Sequence, residues 1–332
     1  MADVGRLAGV THQTVSRVLN GKGYVKESTR IKVEEAIREL SYRPNRIARS
    51  LTRGRSETVG VLAVRGPGNG IFESLLHGLT RAAGEAGYSV VIANLNEDPG
   101  TRAADAAVIR TFERFISEGV DGVIVLTGYY DLVNSVRAGA GALPVAMVFG
   151  PAIDGISVTT IDSFRGGELA AEHLLKLGHR AIVHVAGVRG RHDSDQREAG
   201  FRAALARYEL EPVAVLHGSW TPRSGYEIGR ELCSRKDFTA VFAANDQMAL
   251  GVIHALTAGG RRVPGDVSVV GYDDIEEAPY FIPPLTSVRQ DFELLGSRAL
   301  SSLLTVVSYG STEHISIRPA LTVRESTASP RA

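Results

Sequence analysis

The N-terminal part of the chain carries short runs of apolar residues at the spacing of one helical face. The first run ends at Gly9, and the hydroxyl of Thr11 can cap a second helix over His12–Asn20. The apolar positions of these two helices are Val4, Leu7, Ala8, Val15, Val18 and Leu19. Two short helices joined by a tight turn that contains glycine predict a helix-turn-helix.

A third helix is predicted over Glu27–Leu40, with its apolar residues spaced to form one buried stripe. These residues are Ile31, Val33, Ala36, Ile37 and Leu40. Pro44 fits the first turn of a further short helix over Asn45–Leu51. That segment is too short to be a stable helix by itself, so we expect it to order only when paired with a second copy or laid on DNA.

From Thr58 onward, short apolar runs alternate with longer amphipathic segments. The runs predicted as strands are Val59–Val64, Ser89–Ala93, Gly122–Leu126, Val145–Phe149, Ile182–Ala186, Ala214–Leu216, Ala240–Ala243 and Val267–Val270. The segments predicted as helices are Ile71–Ala86, Arg102–Glu118, Gly166–Leu177, Asp195–Tyr208, Arg223–Ser234 and Gln247–Ala258. Strict alternation predicts parallel sheets covered by helices on both faces, and the number of strands favours two doubly wound subdomains over one sheet.

Composition places the chain among ordinary globular proteins. Of its 332 residues, 44% are hydrophobic and 22% are charged, which excludes a disordered or low-complexity chain. The single cysteine, Cys233, excludes a disulfide scaffold and a zinc site built on thiolates. No apolar run is long enough to span a membrane, and the N-terminus has no secretion signal. We therefore expect a soluble, cytoplasmic protein with no metal site, no cofactor and no membrane partner.

The overall net charge of zero hides a strong asymmetry along the chain. Residues 1–55 carry twelve Lys or Arg side chains against five acidic ones, a net charge of +7, so the remaining residues carry −7. A compact positive segment attached to an acidic body indicates an N-terminal module that binds a polyanion, although a solvated charged surface would give the same count.

The second predicted helix carries side chains that can read base pairs. A helix lying in the major groove presents its first turns to base edges, where Gln pairs with adenine and Arg with guanine. The candidate DNA-binding residues of this helix are His12, Gln13, Thr14 and Arg17. A helix-turn-helix suits the major groove of B-DNA and not the narrow groove of RNA, so double-stranded DNA is the expected partner. Leu51 could act as a wedge between base pairs in the minor groove.

Polar and aromatic side chains follow the predicted strands of the body. Ligands of open α/β sheets bind beyond the carboxyl ends of the strands. The residues at such positions are Arg197, Trp220, Asn245, Asp246, Asp273, Asp274 and Gln290. Arg197 can donate to two vicinal hydroxyls, Asp273 can accept from another, and the face of Trp220 can pack on a sugar ring. The sequence therefore predicts a small-molecule cleft, although Asp246 and Asp274 could equally cap helices and Trp220 could belong to the core.

Several segments resemble the LacI/GalR family of bacterial repressors, and the resemblance extends over the whole chain. The segments are Asp3–Val10, Thr14–Asn20, Tyr42–Asn45, Ala244–Gly251, Ser268–Asp274 and Ile282–Thr286. The resemblance implies an all-α helix-turn-helix headpiece, followed by an α/β effector domain of two doubly wound parallel-sheet subdomains with the fold of periplasmic sugar-binding proteins. It also implies base reading by His12, Gln13 and Arg17, and a hinge helix that contains Asn45, Ala48 and Leu51.

The same resemblance implies a function and a domain layout. The family positions for a small sugar effector, such as a galactoside-like saccharide, correspond to Phe72, Arg197, Trp220, Asn245, Asp273 and Gln290. Phe149 and Asp193 stand at two further ligand positions, where a galactoside-binding member has an acid and a small hydroxyl residue. We therefore expect a sequence-specific, allosteric transcriptional repressor that is not an enzyme.

The expected domains are a headpiece over residues 1–44, a hinge helix and linker over 45–57, and an effector domain over 58–327. Within the effector domain, the N-subdomain is predicted at about 58–161 and 290–310, and the C-subdomain at about 162–289 and 311–327. The chain begins almost at its first helix, where family members carry a few more residues, including a hydroxyl side chain that touches phosphate. It ends without a heptad-bearing helix, from which we expect a homodimer.

Two other classes of protein fit part of the sequence. Gly66, Gly68 and Gly70 lie between a strand and a helix, as in an NAD-dependent oxidoreductase. The G-x-G-x-x-G fingerprint fails, however, because Ile71 takes its third position and no acid ends the next strand. A sugar-binding receptor without regulatory DNA binding would share the cleft, but it would need a signal peptide and would leave residues 1–55 without a role.

Overall fold

A computed structural model describes residues 1–20, 23–42, 55–64 and 69–331. The chain divides into two compact units, Met1–Ser56 and Glu57–Ala332. The predicted hinge helix, with Asn45, Ala48 and Leu51, lies outside the described residues, and so do Gly66 and Gly68 of the rejected dinucleotide motif.

The first unit contains three helices, as predicted: α1 (Ala2–Ala8), α2 (His12–Asn20) and α3 (Glu27–Glu39). Gly9 ends α1 in the left-handed conformation, at a φ of 65°, which glycine adopts without steric cost. The hydroxyl of Thr11 accepts a hydrogen bond from the Thr14 N–H at 3.3 Å, so Thr11 caps α2 as expected. The fully buried apolar side chains are Val4, Val15, Val33 and Ala36.

Two residues of the stripe predicted on α3 are exposed, and this part of the prediction was wrong. Ile31 is 46% exposed and Leu40 is 43% exposed. Ile31 lies two residues before Val33, which places it on the opposite side of a helix with 3.6 residues per turn. Leu40 lies beyond the last residue of α3, at its C-cap. The core of this small unit is therefore narrower than the sequence pattern indicated.

The second unit contains two six-stranded sheets with helices on both faces. The strands are β1 (Thr58–Val64), β2 (Ser89–Leu95), β3 (Gly122–Leu126), β4 (Val145–Val148), β5 (Ser157–Ile161), β6 (Ile182–Ala186), β7 (Ala214–His217), β8 (Ala240–Ala243), β9 (Ser268–Asp273), β10 (Thr286–Arg289), β11 (His314–Ile317) and β12 (Ala320–Thr322). The helices are α4 (Asn69–Glu85), α5 (Arg102–Ser117), α6 (Val133–Ala140), α7 (Ser163–Lys176), α8 (His192–Ala206), α9 (Pro222–Cys233), α10 (Asp246–Ala258) and α11 (Phe292–Tyr309).

The strand order is β11-β5-β4-β3-β1-β2 in the first sheet and β12-β10-β9-β8-β6-β7 in the second. All neighbouring strands are parallel except β10 and β12, which are antiparallel. Every residue of β3 is buried, because successive side chains point to opposite faces and both faces are covered. Val123 and Val125 pack with Phe112 and Phe115 of α5, whereas Ile124 packs on the other face.

The backbone passes between the two sheets three times within the described residues. It crosses from β5 to α7, from β10 to α11 and from β11 to β12. The last crossing corrects the predicted layout, which assigned residues 311–327 to the C-subdomain. Residues 314–317 form β11, which pairs in parallel with β5 and belongs to the first sheet, so the chain crosses after Ile317 and not before it.

Candidate functional site

The exposed face of α2 carries the side chains that the sequence singled out for DNA. His12, Gln13 and Arg17 are exposed or partly exposed at the surface of the headpiece, while Thr14 is half-buried. The Thr14 hydroxyl lies 3.1 Å from the hydroxyl of Thr11, so this residue also fixes the start of the helix. Val15 lies on the opposite side of α2 and is fully buried in the core of the headpiece. The exposed part of α2 therefore carries the imidazole of His12, the amide of Gln13 and the guanidinium group of Arg17.

A cavity of about 310 Å³ lies between the two sheets, and it brings together all eight residues predicted to hold a ligand. These residues are Phe72, Phe149, Asp193, Arg197, Trp220, Asn245, Asp273 and Gln290. Most of them follow a strand at its carboxyl end, where the fold leaves polar groups facing the cleft. The cavity draws on both subdomains, because Phe72 and Phe149 come from the first and Arg197 and Asp273 from the second.

A buried cluster of charged and polar groups forms one wall of the cavity. Arg197 Nη2 lies 3.7 Å from Asp273 Oδ1, and the Gln290 side chain donates to the same oxygen at 2.5 Å. Arg197 also donates to the backbone carbonyl of Ala244 at 2.5 Å, and its guanidinium carbon lies 3.8 Å from the ring centre of Tyr272. Burial raises the pKa of Asp273 to about 7, although Arg197 and Gln290 oppose the shift.

A second pair of opposite charges faces the same cavity. Arg191 donates to both carboxylate oxygens of Asp193, at 2.9 and 3.0 Å. Its guanidinium carbon lies 5.0 Å from the ring centre of Tyr129 and 5.6 Å from that of Trp220. Burial opposes ionisation of Asp193, but the guanidinium groups of Arg191 and Arg197 prevail and lower the pKa of its carboxyl. Asp193 is therefore a fixed carboxylate.

Asn245 joins the start of α10 to the loop that carries Trp220. Its Oδ1 accepts from the Met248 N–H at 2.9 Å and caps the helix, while its Nδ2 donates to the Trp220 carbonyl at 3.1 Å. Asp246 and Asp274 have structural partners instead. Asp246 accepts from the Ser287 hydroxyl at 2.6 Å, and Asp274 pairs with Arg324 at 2.6 Å. The sequence left open whether Trp220 belongs to the core or to the ligand site. Trp220 is 95% buried and also lines the cavity, so it belongs in part to both.

Three lining residues have left-handed backbone conformations that side chains other than glycine rarely adopt. The φ angle is 71° at Phe149, 66° at Trp220 and 107° at Asp273. Such conformations persist only where the surrounding structure enforces them, and they concentrate at ligand sites. Within the described part of the chain, Trp220 Nε1 and Arg197 Nε are buried donors without a hydrogen-bond partner.

Comparison with known proteins identifies both units. Residues 1–45 match the family of bacterial regulatory proteins named after lacI, and residues 171–327 match the periplasmic binding protein-like domain. The lactose operon repressor of Escherichia coli K12 is 35% identical to this chain, over 99% of this chain and 93% of that protein. The chain belongs to the LacI family. It is a DNA-binding transcriptional repressor and not an enzyme.

Other relatives of this LacI-family repressor differ in name and in bound ligand. The transcriptional repressor PurR of Mannheimia succiniciproducens is 34% identical, over 98% of this chain and 97% of that protein. A crystal structure of the lac repressor dimer bound to operator and the anti-inducer ONPF has a TM-score of 0.88 at 33% identity, covering 98% of both chains. The complex of the regulator CelR with cellobiose has a TM-score of 0.73 at 34% identity, also covering 98% of both chains.

Sequence reasoning missed several groups that line the cavity of this repressor. Besides Arg191, the polar ones are Glu73, Asn94 and Thr127. Arg191 could have been found, because it stands two residues before Asp193 at a strand-to-helix junction. Asn94 and Thr127 also lie at strand ends, but neither residue type stands out from an ordinary loop. No cluster of metal-ligating side chains and no helix long and apolar enough to cross a membrane occurs among the residues described.

Proposed function

We propose that this repressor is controlled by a small, uncharged sugar bound in the cavity between its subdomains. The observation that carries the proposal is the lining itself, which contains two guanidinium–carboxylate pairs together with aromatic rings. Carboxylate oxygens accept from sugar hydroxyls, guanidinium groups donate to vicinal oxygens, and the rings of Trp220 and Phe149 offer flat apolar faces. Arg191 and Arg197 each have an acidic neighbour, and Glu73 adds a third carboxyl group, so the lining has no excess of positive charge and favours a neutral ligand over a phosphate.

The complex of CelR with cellobiose supports a saccharide as ligand, since that protein matches this chain over nearly its full length. The repressors named PurR support a second candidate, a purine base, because they are almost as similar as the lactose operon repressor. A purine would need a close aromatic stack and few hydroxyl partners. The carboxylates of Asp193 and Asp273 favour the sugar, since a purine ring has fewer donors to satisfy them.

We propose that α2 reads the operator from the major groove through His12, Gln13, Thr14 and Arg17. Gln13 and Arg17 lie four residues apart, which places them on the same side of the helix. The positive charge of residues 1–55 supplies the attraction to phosphate, and the side chains of α2 supply the discrimination between bases. Asn45, Ala48 and Leu51 remain the proposed hinge contacts. Because its target is chromosomal DNA, we place the protein in the bacterial cytoplasm.

We propose a homodimer as the working form. The loop between β9 and β10 leaves Tyr280 81% exposed and Ile282 90% exposed, an unusual degree for large apolar side chains two residues apart. The lac repressor structure with a TM-score of 0.88 to this chain is a dimer on its operator. A dimer would also supply two headpieces, one for each half-site. The sugar then shifts the equilibrium between DNA-competent and DNA-incompetent states of the dimer.

A ligand screen tests the sugar proposal directly. Thermal unfolding of the full-length protein is measured with cellobiose, ribose, lactose, galactosides, adenine and hypoxanthine. A compound present at 100 times its Kd stabilises the folded state by about 2.7 kcal/mol. We expect a sugar to raise the melting temperature and the purine bases to leave it unchanged. A rise with a purine base and none with any sugar would overturn the sugar assignment.

A further inference from the structure

Two loops, one from each subdomain, pair with each other beside the cavity. The loop after β3 (residues 128–130) and the loop before α8 (residues 190–192) form an antiparallel bridge between Tyr129 and Arg191. The His192 N–H donates to the Gly128 carbonyl at 2.9 Å, and the Tyr130 N–H donates to the Gly190 carbonyl at 3.4 Å. We name these two loops the cleft latch.

Side chains reinforce the cleft latch on its outer surface. The Tyr130 hydroxyl lies 3.2 Å from His192 Nδ1, and the two rings meet edge to face with their centres 5.9 Å apart. The nearby carboxylates of Asp195 and Asp193 add to burial in raising the pKa of the Tyr130 hydroxyl. On the inner surface, the Tyr129 ring lies against the guanidinium group of Arg191. The contact therefore combines backbone pairing with two separate side-chain contacts across the cleft.

The cleft latch lies well away from the covalent crossings between the subdomains. In the first sheet, β3 is two strands from β5, and in the second sheet β6 is three strands from β10. At about 4.8 Å between neighbouring strands, these separations are roughly 10 and 14 Å. A rotation of one subdomain about the crossings therefore moves the latch loops apart. Hydrogen bonds tolerate little lengthening, so opening of the cleft requires that the latch break.

Arg191 connects the cleft latch to the cavity. Its backbone lies in the bridge with Tyr129, whereas its side chain lines the cavity and is held by Asp193. A ligand that contacts Arg191 or Asp193 thus touches the residue on which the latch is built. Arg191 is therefore the residue that links ligand binding in the cavity to the pairing of the two latch loops.

We propose that the cleft latch gates the cavity: the two loops must part for a small neutral molecule to enter, and their pairing retains it once bound. This inference rests on the proposed function of the cavity as an effector site. It adds that the contact between the two latch loops sets the rate at which the ligand enters and leaves the cavity. Substitutions that weaken the latch are expected to speed entry and release together.

Trp220 provides the measurement, because it is the only tryptophan of the chain and lines the cavity while 95% buried. Quenching of its fluorescence by acrylamide reports passage into the cavity. Acrylamide is itself small, neutral and polar, so the result does not depend on which effector the protein takes. Tyr130→Phe removes the hydroxyl contacts of the latch and keeps the ring. The loss of one such hydrogen bond shifts an equilibrium by roughly twofold to tenfold, and we expect faster quenching of Trp220 in that range.

A glycine substitution tests the same point from the inside of the cleft latch. A Cβ on Gly128 would lie 2.8 Å from Asp193 Oδ1 and 3.3 Å from Arg191 Nη2, so Gly128→Ala displaces the Arg191–Asp193 ion pair that adjoins the latch. Gly84→Ala is the matched control, because a Cβ at Gly84 meets nothing within 4 Å. We expect Gly128→Ala to increase quenching and Gly84→Ala to leave it unchanged. Equal quenching in the wild type, Tyr130→Phe and Gly128→Ala would overturn the gate.

A reversible crosslink keeps the test independent of any loss of folding. In an antiparallel bridge of this kind the two Cα atoms lie about 4.5 to 5.5 Å apart, which is within disulfide range. Tyr129→Cys/Arg191→Cys is prepared in a Cys233→Ser background. We expect its oxidised form to quench more slowly than its reduced form, and to release cellobiose more slowly if cellobiose binds. Identical quenching in both redox forms would exclude the gate. A failure of cellobiose to bind to the wild type would count against the ligand assignment alone.

Discussion

The side-chain amide of Asn245 holds the backbone of Trp220. Its Nδ2 donates to the Trp220 carbonyl at 3.1 Å, while its Oδ1 caps α10. Trp220 has a φ of 66°, a conformation that costs energy in any residue with a side chain, so this hydrogen bond helps to offset the unusual placement of the ring. One amide thus serves both the stability of a helix and the shape of the cavity.

Substitution of Asn245 separates these two roles. Asn245→Ala removes the cap, and we expect the free energy of unfolding to fall by about 1 kcal/mol, with about 2 as an upper value. Asn245→Ser keeps an oxygen for the Met248 N–H but loses the amide donor to the Trp220 carbonyl. It is expected to retain most of the stability and still weaken ligand binding. Urea denaturation and Trp220 fluorescence titration measure the two effects. Equal ligand affinity in Asn245→Ser and the wild type would show that the cap alone matters.

Arg197→Ala is expected to abolish the response to effector. It removes the group that lies beside Asp273 and leaves a buried carboxyl without its cationic neighbour. Operator affinity in the absence of effector should remain intact, because the substitution lies in the second unit and α2 in the first. Gel-shift titrations with and without sugar check both statements. A normal response to the sugar would remove Arg197 from the site.

Arg17→Ala is expected to weaken binding to the cognate operator by about 1–3 kcal/mol and to relax the preference at one base position. The reason is that Arg17 lies on the helix proposed to enter the major groove. The measurement is a gel-shift titration at fixed salt on cognate and on random duplex DNA. A loss of equal size on both would indicate a phosphate contact, and not base reading.

The raised pKa of Asp273 makes stability depend on pH in a defined direction. Its carboxyl has a pKa of about 7 in the folded protein and about 3.9 in an unfolded chain, so the folded state binds more protons between these values. The free energy of unfolding therefore falls as pH rises through that window, by up to about 1.4 kcal/mol per pH unit from this group. Asp273→Asn removes the contribution. Urea denaturation from about pH 4 to 7 should show a flatter profile in Asp273→Asn, and parallel profiles would refute the shift.

Ile282→Asp tests the proposed homodimer. A carboxylate on a side chain that is 90% exposed in the single chain costs little by itself, but it costs far more when a second copy covers it. We expect sedimentation velocity to show a dimer for the wild type and a monomer for Ile282→Asp. Ile116→Asp is the matched control, because Ile116 is also exposed, at 51%. A wild type that sediments as a monomer would contradict the dimer.

Much of the fold could be predicted from the sequence, because most of its strands are continuous apolar runs. β3 and β6, buried on both faces, stood out in this way, and the three headpiece helices showed clear periodicity. β5, β10, β11 and β12 were missed, since serine, threonine and arginine interrupt their apolar patterns. Their strand character comes from pairing with distant neighbours, which a local pattern does not encode. The third crossing between the sheets was predicted too early in the chain because β11 was not recognised as a strand of the first sheet.

The candidate ligand residues were recognised from strand ends and from the family resemblance, and the cavity contains all of them. What could not be predicted is how they are held. The left-handed backbone at Phe149, Trp220 and Asp273 arises from tertiary packing, which a local sequence pattern does not reveal. Arg191 escaped notice for a related reason. Its importance lies in its contact with Tyr129, a residue far away in the sequence that only the fold brings close.

The path of the backbone also limits how the gene can be divided. Because the polypeptide passes between its two sheets at three points within the described residues, no contiguous fragment contains one half of the effector domain complete without part of the other. Truncations and two-part expression schemes that cut between β1 and β12 separate at least one strand from its neighbour in the sheet. The junction between Ser56 and Glu57 is the place where a fusion or domain exchange preserves every strand pair.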